Sequence, residues 1–391
     1  MTILAIDQGT TSTRALLVEK SGASKIIKTL EHQQYYPKPG WVEHNPEELI
    51  HNIQACLDCS EKYISIGIDN QGESCLAWDT ETKQAITPVI VWQDNRTHQT
   101  IDRLKLENSQ DLVIEKTGLP LDSYFSATKL AWIMKNIPEA QKLQKLGKLR
   151  LGTTDAFFLD RLANRFVTDI STASRTSLMN IHTGQWDPEL CNLFGVPIEA
   201  LPEIVPTTGD FGSIISKNRQ IPVTASIVDQ QAALVGQGCQ SAGDVKITFG
   251  TGAFALVVTG SSPCHAAEKG LLPTVAWQLK NKKVVYALDG GVYNAGSAIN
   301  WAQSLGLFKT YNQINQFKKP SAIERDLVFV PALSGLGCPY WDRSAGGVWI
   351  GLSLDTQPAD LMQSILEGIV FRAVEIINAM GEFVSIKNEI S

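Results

Sequence analysis

The chain has 391 residues, 43% hydrophobic and 19% charged, which is enough to bury the cores of two globular domains. A formal net charge of -6 gives no basic footprint for nucleic acid or an anionic membrane, and no apolar run approaches the length of a bilayer span. Seven scattered cysteines point to reduced thiols, and an N-terminus without the layout of a signal peptide adds the expectation of a cytoplasmic protein.

The first predicted element is a hairpin. Apolar runs Ile3 to Ile6 and Ala15 to Val18 flank the small polar segment Asp7-Gln8-Gly9-Thr10-Thr11-Ser12. Such a tip lets backbone N–H groups and hydroxyls close around a phosphate, although an ordinary polar hairpin satisfies the same residues. A second copy, VKITFGTGAFALVV at 245–258 with Gly250-Thr251-Gly252 at its tip, favours a duplicated domain with a ligand between the halves. The layout resembles the sugar-kinase, Hsp70 and actin superfamily. That resemblance implies an α/β fold of two actin-like, ribonuclease H-like domains, 1–236 and 237–391, with a cleft between them. It also implies ATP gripped by both loops and Asp7 facing the Mg²⁺ that accompanies the nucleotide.

Next comes PKPGWVEH, in which Pro37, Pro39 and Gly40 hold a loop, followed by a helix opened by Asn45 as N-cap, Pro46 and Glu47-Glu48. Cys56 and Cys59 are expected on that helix as small apolar residues, since no second pair or histidine cluster accompanies them. A strand from Tyr63 to Ile68 leads into Asp69-Asn70-Gln71-Gly72-Glu73, and another from Thr87 to Val91 delivers Trp92-Gln93-Asp94. Strands that end in polar clusters are where open α/β sheets place ligands. By residue type alone, Trp92 fits a core and Glu73 a solvated loop.

The stretch Tyr124 to Trp132 opens a helix predicted over Ser126 to Asn136, with Leu130, Ile133 and Met134 on one face and Lys129 and Trp132 in structural roles. A charged helix, Ala140 to Lys148, an apolar strand and a segment containing ASRT and NIHT follow, all assigned to the floor of the first domain. His182 reads as a hydrogen-bonded loop residue. Val223 to Val228 is a buried-strand pattern ending at Asp229, and a helix begins at Gln230. Asp229 is placed either to take a proton from an attacking hydroxyl or to N-cap that helix. In the second half, Gly290, Gly291, Gly296 and Ser297 surround a strand-to-helix transition, and a long amphipathic helix is predicted from Ala359 to Met380.

Several stretches resemble the glycerol kinases of the FGGY carbohydrate-kinase family: PKPGWVEH, Tyr124 to Trp132, the ASRT and NIHT stretches, and Gly347 to Glu367. The resemblance implies transfer of the ATP γ-phosphoryl group to a terminal hydroxyl of glycerol or a similar polyol, the alternatives being another polyol or a ketose as acceptor, or a truncated, inactive remnant that binds polyol only. It assigns Asp229 as the base, and Glu73, Trp92, Tyr124, Gln230 and Phe254 as acceptor contacts. Thr10, Thr11, Ser12, Arg14, Thr251 and Gly252 become phosphate contacts, Gly296 and Asn300 lie along the nucleotide, and Asp7 organises Mg²⁺. No Walker A or zinc motif competes with this route. The sequence leaves the oligomeric state open, a homo-oligomer being compatible with it.

Two departures from the family pattern stand out. The family's Asn-Gln-Arg-Glu is Asn70-Gln71-Gly72-Glu73 here, which removes a forked donor and leaves space for water, for another side chain such as Arg96, or for a larger acceptor. The chain also ends at Ser391, about where the family continues with a strand and an Asp-Gly-Gly loop. The expectation is an incomplete second domain with unpaired sheet edges and an uncovered helix face.

Overall fold

The computed structural model describes residues 2–342, 344–387 and 390. The chain forms two compact units, one of residues 1–236, 261–263 and 274–286, the other of residues 237–260, 264–273 and 287–391. Both are α/β, and together they make the two-domain actin-like fold.

The first unit is built on a six-stranded sheet in the order Ser213–Ser216, Arg219–Val228, Ile66–Asn70, Thr2–Gln8, Ser12–Glu19 and Ser24–Glu31. Three of its four inner strands, Arg219–Val228, Ile66–Asn70 and Thr2–Gln8, run parallel, with Leu4 beside Ile66 and Val223 beside Ile66. Alternation in Thr2–Gln8 turns Leu4 and Ile6 into a core shared with Leu49, Ile53, Ile66, Ile68, Trp78 and Phe157. The helix Pro46–Leu57 covers this layer; Asn45 caps it by accepting the Glu47 N–H, and proline sits in its first turn. Cys59 lies beyond the end of that helix, because Asp58 already closes it. A four-stranded sheet of Glu43–His44, Val89–Ile90, Cys75–Asp79 and Leu149–Thr153 supports a second core, against which the helix Ser126–Asn136 packs.

The second unit contains the antiparallel hairpin Val245–Phe249 and Ala253–Gly260. The helix Gly296–Ser304 starts just after the strand Val285–Val292, and the long helix Pro358–Gly381 buries Met362, Ile365, Ile369, Ile376 and Met380 in the core. Its other face exposes Val370, Phe371 and Val374. Ile390 makes a parallel bridge to Val245, so the edge strand has one pairing partner in the C-terminal segment. No helix among the described residues is long and apolar enough to cross a membrane.

Candidate functional site

Three parallel strands of the first unit end side by side, with Gln8 next to Asn70 and Asn70 next to Val228. The residues that follow these ends are the hairpin tip Gly9 to Thr11, the loop Gln71 to Ser74, and Asp229. This sheet edge, at the carboxyl ends of parallel strands, collects most of the residues singled out in the first half of the sequence.

Glu73 is buried, with φ at +58°. Its Oε1 accepts from the Nε of Arg175 at 2.6 Å, and its backbone carbonyl accepts from the Ser126 hydroxyl at 3.0 Å. The Arg175 guanidinium lies 5.7 Å from the Tyr124 ring and 5.5 Å from the Phe125 ring. Trp92 meets Tyr124 edge to face at 5.7 Å and gives its indole N–H to the Thr10 hydroxyl at 3.0 Å. One aromatic corner therefore joins the carboxylate loop to the first hairpin tip. Lys129, fully buried, donates to the carbonyls of Ser123 at 3.1 Å and Tyr124 at 2.5 Å, which fixes the turn that carries Tyr124. Burial lowers its pKa from the usual lysine value.

The hairpin tip is held from behind. The ring of His32 bonds the Thr10 carbonyl at 2.9 Å, and the His32 N–H donates to the Thr11 carbonyl at 3.2 Å. Thr11 and Arg14 face solvent and Ser12 is buried. Asp7 lies opposite Arg14 in the antiparallel register and opposite Asp69 in the parallel one, with 3.5 Å between the Asp7 and Arg14 charges. Burial, then the neighbouring Asp7 and Asp229 charges, push the Asp69 carboxyl well above the usual carboxylate range. Burial also raises Asp7, against the opposing pull of Arg14 and of the hydrogen bond from Asp69. Asp229 begins the helix Asp229–Gly236, and its Oδ1 accepts the Gln230 N–H at 2.7 Å, so it does occupy the first turn.

In the second unit, the tip Gly250-Thr251-Gly252 is closed by the Gly250 N–H donating to the Gly252 carbonyl at 2.8 Å. The N–H groups of Ala295 and Ser297 donate to Thr251, and that of Gly296 to Gly250, so the opening turn of the helix Gly296–Ser304 is docked onto the tip. A Cβ at Gly296 would stand 2.4 Å from the Gly250 carbonyl oxygen, which glycine alone permits. Thr251 and Asn300 are exposed, Gly252 is buried, and Phe254 is half-buried with its ring over Gly291, where a Cβ would come within 3.1 Å.

Arg96 does not fill the space opposite Gly72. Its guanidinium binds Asp94 and Glu43, each at 2.7 Å, and lies 3.8 Å from the Trp41 ring centre and 4.7 Å from that of Trp132. The cation that reaches Glu73 is Arg175, which the sequence placed only in the floor of the domain. Its signal was an arginine in a run of small hydroxyl residues, with no neighbour in sequence to show what it meets. Among the described residues no group of three or more His, Cys, Asp or Glu side chains is arranged to hold a metal.

The model of the FGGY family of carbohydrate kinases matches as its N-terminal domain over residues 2–236 and as its C-terminal domain over residues 245–388. Glycerol kinase from Bdellovibrio bacteriovorus is 41% identical over 97% of this chain and 79% of its own length; that from Parabacteroides distasonis is 39% identical over 97% and 78%. The crystal structure of Plasmodium falciparum glycerol kinase with ADP superposes with a TM-score of 0.91 at 31% identity, covering 99% of this chain and 79% of that one. A ligand-bound xylulose kinase from Lactobacillus acidophilus has the same fold, with a TM-score of 0.87 at 23% identity over 100% and 80% of the two chains.

Proposed function

We infer the reaction from one premise, that the chain belongs to the FGGY family of carbohydrate kinases. It is a phosphotransferase with an alcohol acceptor, and its reaction is ATP-dependent phosphorylation of glycerol. The observation that supports the acceptor site most strongly is the single sheet edge carrying the hairpin tip, the Glu73 loop and Asp229.

On this reading Glu73, oriented by Arg175, accepts from two glycerol hydroxyls, while Trp92 and Tyr124 cover the carbon chain. Gln230 and Phe254 complete the acceptor contacts. Asp229 takes the proton of a terminal hydroxyl as that oxygen bonds to the γ-phosphorus and the bond from phosphorus to ADP breaks. Thr10, Thr11, Ser12, Arg14, Thr251 and Gly252 contact phosphates, with Gly296 and Asn300 along the nucleotide. Asp7, partly exposed at a strand end, fits Mg²⁺, which takes one or two carboxylates and otherwise phosphate and water oxygens. When bound, that ion would neutralise phosphate charge. A cytoplasmic location goes with use of ATP. We also propose domain limits of 1–236 and 237–391.

The test is ATP-dependent ADP release from the purified chain, with and without glycerol. Release should require glycerol and fall on the order of 10³-fold in Asp229→Asn, with the unfolding midpoint retained. Release that ignores glycerol, or survives in the variant, would overturn the assignment.

A further inference from the structure

Gly72 precedes Glu73 and Val228 precedes Asp229, so together they join the two carboxylates assigned to the acceptor. Val228 is 2% exposed and pairs with Asn70 in the parallel register. A Cβ at position 72 would stand 2.8 Å from Val228 Cγ2, closer than real Cβ contacts allow. Val228 has little room to withdraw. Its N–H donates to the Ser171 hydroxyl at 3.1 Å, and that hydroxyl in turn donates to Asp169 at 2.6 Å. A β-branched side chain in a strand also has few χ1 alternatives. Among the described residues the atom that a Cβ at position 72 would meet is a valine methyl, while Arg96 is committed to Asp94 and Glu43, and Arg175 to Glu73.

We propose that Gly72 and Val228 are a matched pair that sets acceptor specificity by placing an apolar wall between Glu73 and Asp229. A site that hydrogen-bonds a hydroxyl rejects the analogue lacking it by about 10⁴-fold or more, whereas an apolar wall discriminates by about 10²-fold at most. The wall therefore admits short diols that carry hydrogen or methyl where glycerol carries its third hydroxyl, propane-1,2-diol being the representative. This inference rests on the glycerol kinase reading of the same site.

The experiment compares kcat/KM for glycerol, propane-1,2-diol and propane-1,3-diol in the wild type, Gly72→Arg, Val228→Gly and the double variant. Gly72→Arg alone should lose at least about tenfold with every acceptor, and Val228→Gly should restore glycerol turnover in the double variant. There the preference for glycerol over propane-1,2-diol should exceed the wild-type preference by at least about tenfold. Val228→Thr, of the same shape but with a hydroxyl, should raise that preference several-fold and remains informative if the arginine variants do not fold. Independent effects at 72 and 228, or an unchanged preference in both Val228→Thr and a folded double variant, would overturn the pair. A wild type inert toward all three acceptors would instead sink the kinase reading on which the pair depends.

Discussion

The Arg175–Glu73 pair is buried on both sides, with side chains 4% and 5% exposed. Removing one partner of such a pair leaves an uncompensated charge and costs about 3–5 kcal/mol, whereas an exposed pair costs about 1 or less. Arg175→Met should therefore lower the free energy of unfolding by about that amount in urea titration, and raise KM for glycerol in the surviving enzyme. Replacement of Arg103, whose partner Glu107 is exposed, should leave both unchanged. The same pair shows what the sequence could and could not reveal about single residues. Glu73 follows a strand into a polar loop, a local pattern. Arg175 lies 102 residues away, and only the tertiary fold brings it to the carboxylate. Arg96 had the right charge and a nearby position in sequence, but two tryptophan rings and two carboxylates hold it elsewhere.

Among the elements, the two hairpins were legible because alternation and turn chemistry are local. The Ser126–Asn136 helix appears with the limits its periodicity gives. The strand read as Tyr63 to Ile68 instead spans Ile66–Asn70. Asp69 and Asn70 look like loop residues, yet each is clamped between two parallel neighbours, Asp7 and Ile227 for the first, Gln8 and Val228 for the second. Pairing with distant strands overrode polarity. In the second unit the glycines of the strand-to-helix transition suggested a close approach, and the approach is between Gly296 and the Gly250 carbonyl. Gly296→Ala must push the tip away from the helix, an overpacking that costs about 1–3 kcal/mol. Steady-state kinetics should then show KM for ATP raised roughly tenfold, equivalent to about 1.4 kcal/mol, with KM for glycerol nearly unchanged. A matching rise in KM for glycerol would mean that the tip does not act on the nucleotide separately.

At the scale of the whole molecule, stability against pH depends on buried ionisable groups whose environments no sequence pattern displays. His44 is lowered to about 4 from 6.5, first by burial and then by His32, whose ring meets it edge to face at 4.8 Å. Its unfolded form takes up a proton near pH 6.5 while the folded form resists until about pH 4, so stability is lost as pH falls through that window. Asp155 is raised from 3.8 to about 6 by burial, with the Asp169 charge adding to the effect and hydrogen bonds from Thr153 and Thr168 opposing it. Its contribution has the opposite sign: fully present below about pH 3.8, it disappears as pH rises to about 6. At about 1.4 kcal/mol per pKa unit, each is worth roughly 3 kcal/mol, and between pH 4 and 6 the two offset one another. Substitution should expose what they conceal. Measured by urea titration relative to the wild type, His44→Gln should gain roughly 3 kcal/mol on acidification from pH 6.5 to 4, and Asp155→Asn should lose a similar amount between pH 6 and 4. Parallel curves for wild type and either variant would show that the group titrates alike in the folded and unfolded chains, and that its burial in the first unit is not what sets its proton affinity.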